Sequence, residues 1–208
     1  MGVFIKVTVQ AFQDQGGVFM WAIMIVAGIG FGIVLERLYY LFIKTGIKGN
    51  KLYNEVLKHI ENGDEEKAFQ VLKGNNPIKN ILRTILKYKD YGVDYVKRKV
   101  NIVFLTELPK INRNIMFLNV IANIATLLGL LGTIIGLIIA FDAVANVEAA
   151  KRAEALANGI SIAMVTTAFG LIIAVPVLFT HGFLIAQSER IIEIMDEKST
   201  KLINKIFK

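Results

Sequence analysis

Leu128-Gly129-Leu130-Leu131-Gly132-Thr133-Ile134-Ile135-Gly136 and, further on, Val165-Thr166-Thr167-Ala168-Phe169-Gly170-Leu171 lie inside two long apolar runs. The first run extends from Ile115 to Phe141. The second extends from Leu156 to Ala186, contains Pro176, and is separated from the first by a short polar hairpin. About 20 apolar residues carry a helix across the hydrocarbon core of a bilayer, so both runs are long enough to span it. Hydroxyls and amides at membrane depth are costly unless they meet protein or water. The glycines, threonines and asparagines of these runs are therefore expected to face another helix, a partner or a wet path.

Working outward, the chain is 54% hydrophobic with mean hydropathy +0.54, high for a sequence that is still 20% charged. Its charge is concentrated. Residues 44–113 hold 15 Lys and Arg against 8 Asp and Glu, an excess equal to the whole formal +7. Basic loops stay on the cytoplasmic side, which places 44–114 inside and the hairpin 143–155 outside. A pI near 9.5 also suits nucleic acid, but the topogenic reading uses the same charges, and no nucleic-acid partner is expected. The absence of cysteine excludes disulfides and thiolate metal sites. No metal or cofactor site is expected.

A third apolar run, 18–43, lies too far in and is too long for a cleaved signal peptide. Before it, Phe4, Val7, Ala11 and Phe12 keep helical spacing while Lys6, Gln10 and Gln13 fall off that stripe, the pattern of an amphipathic helix on the outer surface, with a frayed terminus as the plainer alternative. The expected organisation is a periplasmic amphipathic helix (1–17), a first membrane helix (18–43), a cytoplasmic helical domain (44–114), a second membrane helix (115–142), a periplasmic hairpin (143–155), a third membrane helix (156–186) and a cytoplasmic helical tail (187–208). This is an all-α integral membrane protein whose long helices extend into a cytoplasmic helical bundle, with the N-terminus periplasmic and the C-terminus cytoplasmic.

In the 44–114 block, Leu52, Val56 and Ile60 form one apolar face. Ile78, Ile81, Leu82 and Ile85 form another, and Val93, Val96, Val100 and Phe104 a third. Gly63-Asp64 and Gly74-Asn75-Asn76-Pro77 mark helix stops and starts. Roughly 70 residues of short helices make a marginal core alone, so they are expected to pack on extensions of the membrane helices and on the tail stripe Ile191, Met195, Leu202 and Ile206. The block holds no catalytic constellation; His59 is read as a solvated side chain and the chain as a non-enzyme.

On a helical wheel of the second run, Asn119, Asn123, Thr126 and Thr133 fall in one narrow stripe. Ala122, Ala125, Gly129, Gly132, Gly136 and Ala140 occupy the adjacent face, a small-residue seam suited to close helix approach. In the third run Gly159, Ala163, Thr166, Thr167, Gly170, Ala174 and His181 share a broad face, read as the course of a wet path. His181 is a candidate relay, with an interfacial side chain as the plainer reading. Neither run carries a carboxylate near its middle. Glu36-Arg37 closes the first helix and is read as an anchor at the inner surface. If ions pass, the titrating group should come from another chain.

These residues carry a resemblance. Glu36-Arg37, the Gly63-Asp64 helix pair, Gly129-x-x-Gly132-Thr133-x-x-Gly136 and the run Gly159-Ile160-Ser161-Ile162-Ala163-Met164-Val165-Thr166-Thr167-Ala168-Phe169-Gly170-Leu171-x-x-Ala174-x-Pro176 resemble the MotA/TolQ/ExbB ion-channel family, in its three-helix ExbB/TolQ branch. The likeness covers nearly the whole chain in order. It implies a homopentameric ring in the bacterial inner membrane around two single-span ExbD/TolR-like subunits whose aspartate takes up the ion, with a TonB/TolA-like protein as a further partner. It makes Thr133 and Thr167 pore-facing; the wheels add Thr166, Asn123 and Thr126 as further expected lining, and Gly129, Gly132, Gly136, Gly170 and Pro176 are read as helix-packing residues. Where the family often has glutamate, this chain has Ile162, which removes one candidate acid from the relay.

The implied function is conversion of proton motive force into mechanical work on the cell envelope, of the TonB-dependent uptake type. A membrane potential supplies about 2.3 kcal/mol per charge per 100 mV, enough to bias rotation of the partner. The alternatives are a TolQ-like envelope-maintenance motor, a sodium-driven variant, which a threonine lining admits, and a small carrier or scaffold. A carrier is expected to show internal repeats and broken helices; no repeat is visible here.

Overall fold

A computed structural model describes residues 8–9, 11–13, 17–45 and 49–208. Phe4, Lys6, Val7 and Gln10 of the expected N-terminal helix lie outside the described residues. The helices are α1 (Gly17–Leu38), α2 (Gly49–Glu61), α3 (Glu65–Val71), α4 (Pro77–Tyr88), α5 (Val93–Asn112), α6 (Ile115–Ala145) and α7 (Arg152–Ile206). Helix α1 runs on into a π-helical turn, Tyr39–Lys44, and short 3₁₀ turns, Lys89–Tyr91 and Ala149–Lys151, precede α5 and α7. No strand occurs among the described residues. Three helices are long and apolar enough to cross a membrane. The third run and the tail, expected as separate segments, belong to one unbroken α7. No glycine or proline follows Gly182, so nothing in the sequence stops the helix there.

The chain divides into two compact units, Met1–Leu35 with Ile115–Gly182 and Glu36–Asn114 with Phe183–Lys208. The first is apolar. Within it α6 and α7 run antiparallel along a seam of small residues. A Cβ added to Gly136 would stand 2.8 Å from the Cβ of Ala163, and one on Gly170 2.7 Å from the Ala125 carbonyl oxygen. Ala140 meets Gly159 at one end of the seam, and Ala122 clusters with Ala125 and Ala174 at the other. The two sets of small residues recur every three or four positions, so they stay in register along both helices. Large apolar side chains point outward instead: Trp21, Phe31, Leu127, Ile138 and Phe179 are all exposed. Near the N-terminus, Phe12 packs edge-on against Trp21 and Phe169, with ring centroids 5.3 and 5.6 Å away.

The second unit is built from short capped helices. Helix α2 stops at Gly63 (φ 75°), where the Asp64 N–H reaches the His59 carbonyl and the Gly63 N–H reaches that of Ile60. This is a Schellman closure, and the positive φ favours glycine. Helix α4 starts at Asn76, whose Oδ1 accepts from the Ile78 N–H at 3.0 Å with Pro77 in the first turn. Helices α2 and α3 pack together, as do α4 and α5. Leu52, Val56, Leu72, Ile81, Leu82 and Ile85 are fully or almost fully buried, as are Met195 and Leu202 from the end of α7. Lys205 closes this end with an ion pair to Glu61 at 2.9 Å.

Candidate functional site

In α6 and α7 the polar side chains divide into those that meet the chain itself and those that do not. Thr167 Oγ1 donates to the Gly129 carbonyl across the two helices at 2.9 Å, and Thr133 Oγ1 donates to the neighbouring Leu130 carbonyl at 2.6 Å. Both hydroxyls are thus drawn to one turn of α6, and both residues are half-buried. Thr126 Oγ1 donates back to the Ala122 carbonyl at 3.1 Å, the usual way a helix threonine satisfies itself.

Thr166 differs from its expected place. It is 3% exposed, its hydroxyl bonds to Ile162 at 3.3 Å, and its methyl fills the space where a Gly132 side chain would go. It is therefore a seam residue, not a lining one. The broad face of α7 expected as a wet path divides in two. Ala163, Thr166, Gly170 and Ala174 are buried and close against α6, whereas Thr167 and His181 on the same face are half-buried. Small side chains are what let two backbones approach, and close approach leaves no room for water.

Asn119 and Asn123 are the exceptions. Both are exposed on α6, and neither side chain makes a hydrogen bond among the described residues. Each amide brings two donors and an acceptor to a helix that is otherwise largely apolar. Such groups are expensive in hydrocarbon and call for water or another chain.

Pro176, grouped above with the packing glycines, is exposed. It lies on the rim of a shallow apolar groove with Gly28, Phe31, Ile172 and Thr180, outside the seam. His181 is half-buried and makes no hydrogen bond or ion pair among the described residues.

Glu36 and Arg37 lie in a bonded cluster at the end of α1. Arg37 is 1% exposed; its guanidinium bonds both Glu36 oxygens, donates from Nη1 to the Lys110 carbonyl at 3.0 Å, and lies 4.9 Å from the Tyr40 ring centroid. Lys110 is in the last turn of α5, where carbonyls lack helical partners, so a buried cation is well matched to that helix end. Glu107 escaped the sequence reading, and Asn76 was read there only as part of a helix start. Glu107 is 5% exposed and accepts from Asn80 Nδ2 at 3.0 Å and Lys110 Nζ at 2.9 Å. Asn76 also donates to the Lys44 and Thr45 carbonyls, at 3.1 and 3.3 Å, so one side chain joins the end of the π-helical turn to the start of α4. The Asn-Pro step at 76–77 was a visible signal for the cap. Nothing in the sequence pointed to the other partners.

An all-helical chain with three membrane-length helices, two of them joined by a seam of small residues, defines a multi-pass membrane protein. The model of the MotA/TolQ/ExbB proton channel family matches residues 73–197, more than half of the chain. An ExbB homolog of Methanothermobacter thermautotrophicus is 28% identical over 179 residues, covering 85% of this chain and 63% of its own length. Biopolymer transport protein exbB1 of Vibrio cholerae is 26% identical over 173 residues, 81% of this chain and 75% of its own. Tol-Pal system protein TolQ of Pseudomonas aeruginosa is 30% identical over 103 residues, 50% of this chain and 44% of its own. The chain belongs to the MotA/TolQ/ExbB proton channel family, in the ExbB/TolQ branch.

Proposed function

We propose that this protein is the ring-forming subunit of an ion-driven motor of the inner membrane, working with single-span ExbD/TolR-like partners. The observation that carries the reading is the pair of exposed, unpartnered amides on α6, Asn119 and Asn123, beside a seam the chain has already closed for itself. The seam needs no second copy; the amides need something. A ring of subunits enclosing a partner helix and water satisfies them. The ring is a homopentamer and holds two partner helices, as the family likeness implies.

The same likeness supports the ion path. Thr133 and Thr167 flank the seam at one level of α6, with Asn123 and Thr126 on the adjoining stripe. From Met116 to Phe141 and from Ala155 to Ser188 the sequence has no carboxylate, so the titrating aspartate belongs to the partner. An ion neutralises that aspartate and lets the partner helix step past the threonine level, passing torque or pull to a TonB/TolA-like protein. TonB-type uptake is the preferred output. In this arrangement 44–114 and 187–208 are cytoplasmic, and 1–17 and 143–155 periplasmic.

The test is co-purification with the single-span product of the adjacent reading frame, followed by native mass measurement in nanodiscs. Five copies with two partner chains is the expected result. A stable monomer in both mild detergent and nanodiscs overturns the ring.

A further inference from the structure

Arg83 and Lys87 stand four residues apart on α4, and Lys99 comes from α5, which packs against it. The three cations line one cavity of about 480 Å³. Phe69, Ile102 and Val103 give it apolar walls, and no carboxylate lines it. None of the three forms an ion pair among the described residues, whereas Lys67, Lys89 and Lys110 of the same unit each pair with a carboxylate. Like charges four apart on a helix repel, and a third charge from the facing helix adds to the cost. An anion in the cavity adds an attraction to each of the three cations, which offsets their mutual repulsion.

The cations are also held in place. Arg83 gives one N–H to Asn80 Oδ1 at 2.7 Å, which orients the guanidinium and leaves most of its five donors free. The Lys87 and Lys99 ammonium groups lie 5.4 and 5.5 Å from the centroid of one ring, that of Tyr88. A planar, forked guanidinium with two ammonium groups suits phosphate oxygens. The apolar walls suit an attached organic body better than a bare ion.

We propose that this cavity binds an organic phosphate, its anionic group on Arg83, Lys87 and Lys99 and its apolar or aromatic body against Phe69, Ile102 and Val103. An anionic phospholipid headgroup and a soluble nucleoside phosphate share this chemistry.

The test uses the full chain in nanodiscs. Binding of ADP is measured by equilibrium dialysis in phosphatidylcholine discs. Separately, the thermal midpoint is compared between phosphatidylcholine discs and discs containing phosphatidylglycerol. The cavity variant is Arg83→Gln with Lys99→Gln; the control is Lys97→Gln with Arg98→Gln, which removes the same charge from exposed positions that do not line the cavity. ADP binding by the wild type and control, weakened roughly tenfold or more in the cavity variant, identifies the soluble source. A midpoint gain with phosphatidylglycerol, lost only in the cavity variant, identifies the lipid source. Lys99→Arg keeps the charge and is expected to keep either response. Should the double variant be unfolded in ligand-free discs, the single exposed change Lys87→Gln takes its place. The proposal is overturned if neither probe acts on the wild type, if the control loses as much as the cavity variant, or if a glutamate-rich peptide displaces ADP and binds more tightly.

Discussion

Replacing Gly170 with alanine tests whether the seam holds the membrane helices together. The new Cβ would stand 2.7 Å from the Ala125 carbonyl oxygen and 3.2 Å from the Gly129 Cα. Both contacts are backbone, so no side chain can rotate aside and α6 and α7 must separate. Overpacking of this kind costs about 1–3 kcal/mol. Alanine in place of glycine in a helix returns roughly 0.8–1 kcal/mol, which leaves a net loss of about 0–2 kcal/mol by these two terms, against a gain at a site with no clash. Gly28 is the control: nothing lies within 4 Å of the Cβ it would gain, so Gly28→Ala keeps the helix term and pays no clash. Thermal melts in one detergent, followed by circular dichroism at the helix band, should therefore move in opposite directions for the two variants. Equal destabilisation by Gly28→Ala and Gly170→Ala would mean that the seam geometry does not set stability, and the reasoning would fail.

Thr167→Val keeps the shape and removes the bond to the Gly129 carbonyl, which retains its own helical N–H; hydrogen bonds inside membrane helix bundles average about 0.6 kcal/mol. A small drop in melting temperature with loss of ion-driven activity is expected, and full activity of a Thr133→Val, Thr167→Val double variant in an energised uptake assay would reduce both to packing residues. Arg37→Gln leaves the Lys110 carbonyl and Glu36 without their cation and should cost more than Lys110→Gln, whose ammonium is exposed; equal melting temperatures would refute the capping role. A cysteine at the exposed Lys201 should react with an impermeant maleimide only after the inner membrane is opened, and labelling in intact cells would reverse the topology. Asp64 and Glu197 are held below the usual carboxylate range by hydrogen bonds from Lys67 and from Lys201 with Lys198. Depressed values mean their contribution is present at neutral pH and is lost as the pH falls through the folded values. Melting temperature should accordingly be level near neutrality and fall slightly in acid; a rise in acid contradicts this.

The three membrane-length helices were legible because about 20 apolar residues in a row have few other uses. The small-residue seam was legible as a face, since Gly129, Gly132 and Gly136 recur at helical spacing. Its partner was not legible. A wheel shows which residues share a side but not what stands opposite, and Thr166 sits beside glycine and alanine whether that side is wet or closed. The cap at Asn76 left a mark because Asn-Pro restricts the local backbone. The bonds of Arg37 to Lys110 and of Asn80 to Glu107 join residues far apart in the chain. No local spacing encodes them.

Once the seam is closed within the chain, the polar groups of α6 stop being equivalent. Thr126 and Thr133 bond to their own helix and would survive in lipid at little cost. Asn123 makes no such bond among the described residues, and it lies two turns into α6, beyond reach of the helix end. Its amide must meet a second chain or water, so Asn123→Leu separates two consequences that Thr133→Val does not. If the amide bonds a neighbouring copy or partner, the leucine variant should assemble with fewer or weaker contacts, seen as subunit loss in native mass spectra. If the amide faces a water-filled path, assembly should persist while energised activity falls. A leucine variant that keeps both full assembly and full activity would show that Asn123 has no partner to lose, and the case for a ring built on this stripe would fall with it.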